Sequence, residues 1–157
     1  MTNELQLLKE ALQKKEKVLQ QILDKSKMQL ELAGADSLDT EKFDGLVDDK
    51  TELLAEMEKL DEGFDSTYQH IRDELPEKKE QYKTEIAVLQ KLIKNTVDLG
   101  AQIHATEART KDKLSVALVK SRRELSQKKT SMKAVSDYYK TSNNLKYVDS
   151  YFLDKKK

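Results

Sequence analysis

The sequence predicts an all-α chain: long antiparallel helical hairpins forming a coiled-coil-like bundle of three long helices. Three observations predict it. Large apolar residues recur at three- and four-residue steps along most of the chain. Helix breakers are scarce, with four glycines and one proline in 157 residues, so strong punctuation falls only at Gly34–Asp39 and at Pro76. Charged residues make up 37% of the chain and aromatics 6%, with no tryptophan. That balance suits amphipathic helices with wet outer faces and narrow apolar seams, not sheets around a thick core.

The first helix is expected over 3–33. Leu5, Leu8, Leu12, Leu19, Ile22, Leu30 and Ala33 trace its stripe, and Lys15 and Ser26 break it. Asn3 suits the N-cap, and Gly34 suits the C′ position, opening a turn through Ser37. The second helix is expected over 40–75, capped by Asp39 or Thr40. Its stripe runs Phe43, Leu46, Val47, Leu53, Leu54, Met57, Leu60, Phe64, Tyr68, Ile71, Leu75. Gly63 lies inside it, and the stripe keeps its register past that glycine, so the helix is read as continuous. Pro76 disfavours helix at Leu75 and suits the first turn of a new one; the reading is a tight hairpin.

The third helix is expected over 77–139. Its stripe is Tyr82, Ile86, Leu89, Ile93, Val97, Ile103, Leu114, Leu118, Leu125, Met132, Val135, Tyr139. Unbroken, about 60 residues at 1.5 Å each make a rod of about 90 Å. Reflection about Pro76 puts Lys113 opposite about Thr40, so residues beyond 113 would overhang the bundle. The segment His104–Lys113 has no apolar side chain larger than alanine, which the reading takes as the seam thinning where the bundle ends. The alternative is a break near 106–112 and a fourth helix folded back to close a four-helix bundle. Spacing favours the overhang. Residues 1–139 then form one helical domain, and 140–157 form an aromatic, lysine-ended tail that docks somewhere.

Composition and motifs narrow the function classes. Cysteine is absent, which excludes disulfides and thiolate metal sites. The opening MTNELQLLKEALQKK has no apolar signal core, and no run is long enough to span a bilayer. Net charge is zero but unevenly placed. Asp39 to Glu77 carries fourteen acids and four bases, while Arg109 to Lys133 carries nine bases and two acids. The two segments are expected to attract each other or a partner. Total neutrality argues against nucleic acid, polar faces of both signs argue against membrane-surface binding, and the short apolar runs argue against membrane insertion. No constellation supports an enzyme. His70 and His104 lack a nucleophile at a recognisable spacing, the glycines are isolated, and the acids of the second helix do not match a calcium loop. No cofactor and no metal are expected.

What remains is helix recognition. Leu114, Leu118, Leu125, Met132, Val135 and Tyr139 form one seam that a partner helix, or a second copy of the chain, would cover. Exposed aromatics in the tail extend that expectation to Tyr138, Tyr147, Tyr151 and Phe152.

The stretch Leu32-Ala-Gly-Ala-Asp36, then Glu41 to Leu60 with Lys50-Thr-Glu-Leu-Leu-Ala-Glu-Met-Glu-Lys-Leu60, resembles the helix–turn–helix core of flagellar export chaperones of the FlgN type. The ending Tyr151-Phe-Leu-Asp-Lys-Lys-Lys157 is similar to tails of Gram-positive members, and the related FliT type is a near alternative. The resemblance implies a cytoplasmic bacterial protein that binds helical terminal segments of hook-associated subunits, prevents their premature assembly and delivers them to the flagellar type III export gate. It implies that the client is held by the C-terminal part, here Leu114 to Tyr139, and that aromatics such as Tyr138, Tyr139, Tyr147 and Tyr151 meet the gate. The alternative is a structural coiled-coil homodimer, or a general interaction module without a chaperone role.

Overall fold

In the computed structural model of the chain, which describes residues 1–117 together with Met132, Lys133, Val135 and Asp137, buried positions recur every seven residues. Helix α1 (Thr2–Ala33) buries Leu5, Leu12, Leu19, Ser26 and Ala33 in one such series and Leu8, Lys15, Ile22 and Gln29 in another. Helix α2 (Thr40–Ile71) buries Phe43, Lys50, Met57, Phe64 and Ile71. Helix α3 (Lys83–Ala117) buries Ile86, Ile93, Gly100, Glu107 and Leu114, and between them Leu89, Thr96, Ile103 and Thr110. A strict seven-residue repeat keeps one face of a slightly underwound helix against its neighbour, which is coiled-coil packing. The fold is an all-helical bundle, and no strand occurs among the described residues.

The ends of the helices follow local chemistry. The Asp39 side chain accepts a hydrogen bond from the Lys42 backbone N–H at 3.1 Å and caps α2. Asn3 does not cap α1; the helix starts at Thr2 with Met1 ahead of it and no side-chain cap. Gly34 ends α1 in a right-handed conformation, φ −90°, so the turn does not use the left-handed freedom expected of a C′ glycine. Helix α2 runs through Gly63 as expected, but stops at Ile71 instead of 75. A single 3-10 turn, Leu75–Lys78, carries Pro76 near its start, where the missing N–H is harmless. The chain reverses there over a fully buried Leu75.

Helix α1 is the central element and packs along both α2 and α3, whereas the backbones of α2 and α3 seldom come close and meet through side chains. The core has three levels. At the Pro76 end, Leu5, Leu8 and Leu12 meet Phe64, Tyr68, Ile71, Leu75, Ile86, Leu89 and Ile93. In the middle, Val18, Leu19, Ile22 and Leu23 meet Met57, Ile103 and Val135. At the far end, Ala33 meets Phe43, Leu114 and Met132. Leu114 beside Phe43 agrees with reflection about Pro76.

Met132 and Val135 in this core correct the expected overhang. Val135 shares a cluster with Ile103; in one straight helix the two would stand about 48 Å apart. A continuous helix over 77–139 is therefore excluded, and the chain is back on the body by Met132. Met132 lies at the level of Leu114 and Val135 at the level of Ile103, so this segment runs antiparallel to α3, as the four-helix alternative has it; but α3 begins at Lys83, not 77, and is continuous through 106–112, so the break is not where that alternative put it. The reading failed at 104–113. That stretch is not where the seam ends: Thr106, Glu107 and Thr110 are buried there.

Candidate partner-binding site

Helices α2 and α3 flank α1, and the trough between them is filled by the chain's own Met132 and Val135. Its floor at the middle level is polar. Lys50 of α2 donates from Nζ to Oε1 of Glu107 on α3, and also to Oε1 of Gln29 on α1 at 2.6 Å. Ser26 Oγ donates to the same Glu107 Oε1 at 2.8 Å. Gln29 Nε2 reaches the Phe43 carbonyl at 3.5 Å. Lys50 and Glu107 are only 2% and 3% exposed, so the pair is a desolvated ion pair joining the two outer helices across the central one. Burial pushes the Lys50 ammonium below its ordinary value, and the Glu107 charge and hydrogen bond pull it part of the way back. Glu107 Oε2 is buried and has no hydrogen-bond partner among the described residues. The buried threonines of α3 need none from outside, since Thr96, Thr106 and Thr110 donate to Ile93, Gln102 and Thr106 carbonyls of their own helix.

Met132 and Val135 roof this floor. With Val47 and Lys50 they line one small gap against α2. On the α3 side, Met132, Lys133 and Asp137 line a depression with His104, Glu107, Ala108 and Lys111. Leu114, Met132 and Val135, expected to lie on a bare seam, are thus in the core, at 0%, 5% and 5% exposure. The physical reason is the reversal: these three side chains are covered by this chain's own helices. Leu118, Leu125, Tyr138, Tyr139, Tyr147, Tyr151 and Phe152 lie outside the described residues, as does most of the basic segment.

Sequence reading missed Lys50, Glu107 and Gln29. A signal was available, because Lys50 sits seven residues from both Phe43 and Met57, and Glu107 seven from Leu114. It also took Lys15 and Ser26 as breaks, when both are buried and paired; Lys15 Nζ bonds Asp61 Oδ1 at 2.7 Å. The acids of α2 find partners on α1, through Lys15–Asp61 and the more exposed Lys25–Asp49 at 3.2 Å.

His70 Nδ1 lies 2.8 Å from the Ser66 carbonyl on the exposed side of α2. A second depression, between α1 and α3, is lined by Glu16, Lys17, Gln20, Asn95, Asp98, Leu99 and Gln102, a set without a nucleophile–base pair. Among the described residues, no group of three or more His, Cys, Asp or Glu is placed to hold a metal, and no helix is long and apolar enough to cross a membrane. Comparison with known proteins finds no matching family model, no similar curated protein and no similar solved structure.

Proposed function

We propose that this chain is a non-enzymatic helix-binding protein, and specifically a cytoplasmic export chaperone that holds helical terminal segments of flagellar hook-associated subunits for delivery to the export gate. The observation that carries the general reading is the trough between α2 and α3, occupied at helical spacing by Met132 and Val135. A cleft that accepts apolar side chains three residues apart from one helix has the form needed for another amphipathic helix. The flagellar assignment rests on the resemblance of residues 32–60 and 151–157 alone. Because Met132 and Val135 are already buried, a client cannot add to a bare seam as the sequence suggested; it takes their place.

Isothermal titration with purified peptides from the termini of hook-associated subunits tests the assignment. The expected result is one peptide bound per chain at micromolar affinity or tighter, lost when Val47 and Ile103 are both changed to Asp in a variant that remains helical. Absence of binding, together with a mass in light scattering that doubles with concentration, would replace this reading by the homodimer.

A further inference from the structure

We propose that the Lys50–Glu107 pair is a register key: it fixes where along the bundle α3 stands, in a molecule whose apolar layers leave that position open. This goes beyond the helix-binding reading and does not depend on it.

The seven-residue series of α1, α2 and α3 meet in successive layers of buried side chains. At the far end Ala33, Phe43 and Leu114 share a cluster. One heptad further in stand Ser26, Lys50 and Glu107, and both Ser26 and Lys50 bond Glu107. The next step brings Leu19, Met57 and Gly100. The last two steps bring Leu12, Phe64 and Ile93, then Leu5, Ile71 and Ile86, six side chains of a single cluster. One layer of this series is charged, and the layers on either side of it are apolar.

Apolar layers discriminate weakly between registers, because Leu, Ile, Phe and Met trade places at modest cost. A slip of α3 by one heptad moves it about 10 Å. In one direction Glu107 meets Leu19 and Met57, and Lys50 meets Leu114. In the other Glu107 meets Ala33 and Phe43, and Lys50 meets Gly100. Either slip leaves two buried charges without their partners, which is the costliest mismatch such a core can hold. The other buried polar side chains of α3 impose no such penalty. Thr96, Thr106 and Thr110 donate to carbonyls of their own helix and keep those bonds wherever α3 stands. Helices α1 and α2 are matched at a second level by Lys15 and Asp61. For α3, the described bonds from a buried side chain to another helix all run through Glu107. A buried polar position that names one register among several is the best-attested use of such groups in packed helices.

The chain contains no cysteine, so two introduced ones are its only thiols and can carry a pair of nitroxide spin labels. Glu10→Cys on α1 and Ala105→Cys on α3 place them at exposed positions, and pulsed dipolar spectroscopy on the full chain reads the distance between them. The labelled parent is expected to give one distance. In the Lys50→Met/Glu107→Leu background a second distance is expected, displaced by about 5–10 Å as a heptad slip requires. Lys50→Glu/Glu107→Lys keeps an ion pair in the same layer and is expected to give the single parent distance. If the apolar variant gives the parent distance alone, the apolar layers and the Pro76 reversal set the register and the proposal falls. It falls equally if the reversed pair shows the slipped distance, or if the parent already shows both. Should the apolar variant lose helicity by circular dichroism, Lys50→Met/Glu107→Thr takes its place, since a threonine bonded to its own helix names no register, and the same two distances decide.

Discussion

A lysine and a glutamate at seven-residue seam positions decide how this bundle is held together. For Lys50, burial lowers its pKa more than the attraction of Glu107 raises it, so the ion pair that ties α2 to α3 carries a desolvation cost on the lysine. Removing one partner leaves a buried charge alone, and replacing both with apolar groups removes the cost. Glu107→Leu alone is expected to lose about 3–5 kcal/mol in urea denaturation, while Lys50→Met with Glu107→Leu is expected to equal or exceed the parent by about 1–4 kcal/mol. A double variant as weak as the single one would mean the pair stabilises outright. The pH dependence has a definite sign. The folded-state pKa of Lys50 lies below its ordinary 10.5, so between the two values the unfolded chain binds more protons and stability rises with pH. The Lys50 contribution is complete above 10.5 and is lost as pH falls through the folded-state value. The parent is therefore expected to gain on the double variant as the pH of the denaturation series is raised toward 10.5; a constant gap would place the Lys50 pKa at its ordinary value.

At the scale of the helix, local rules written in the sequence set most of the boundaries. Asp39 caps α2 as its side chain predicts, and Asp39→Ala is expected to cost about 1 kcal/mol. Gly45 and Gly63 sit within α2 with nothing within 4 Å of an added Cβ. Each should gain about 0.5–1 kcal/mol as alanine, from reduced backbone entropy in the unfolded chain; a thermal melt that fails to rise for the pair would show that these positions serve something other than helix formation. Periodicity made the helices legible because the seam is mostly leucine, isoleucine and phenylalanine. The return of the chain was not legible for the same reason. A seam read by apolar content alone stops at Ile103 and resumes at Leu114, whereas the molecule fills the gap with Thr106, Glu107 and Thr110 against Ser26, Gln29 and Lys50. Polar layers keep the heptad spacing and lose the hydropathy. Reading position before polarity at Lys50 and Glu107 would have moved the preference from an overhanging rod to a closed bundle, and with it the candidate residues Met132 and Val135 from a free surface to the core.

Across the whole molecule, the two ends of the bundle differ in what they depend on. Among the described residues, the level at Pro76 is built from side chains of α1, α2, α3 and Leu75, with Met1 and Tyr82 packed against them. Among the described residues, the middle and far levels include Val135 and Met132 of the returning segment, and there that segment rests on charge. Displacing it returns the Lys50–Glu107 pair toward water, and that rehydration offsets part of the cost of exposing the apolar side chains. Opening is therefore expected to be local, in the sense that free energies of exposure vary along one fold. Native-state hydrogen exchange on Met132→Asp/Val135→Asp tests this. Amides of Ile22–Gln29, Lys50–Met57 and Ile103–Thr110 are expected to exchange at least tenfold faster than in the parent, while those of Leu8–Leu12, Phe64–Ile71 and Leu89–Ile93 keep their protection. Uniform acceleration over both sets would make the bundle one cooperative unit, and a client could then enter the trough only by unfolding it. Unchanged protection in both sets would mean that Met132 and Val135 contribute little to closing the far end, and that α1 alone holds α2 and α3 in place.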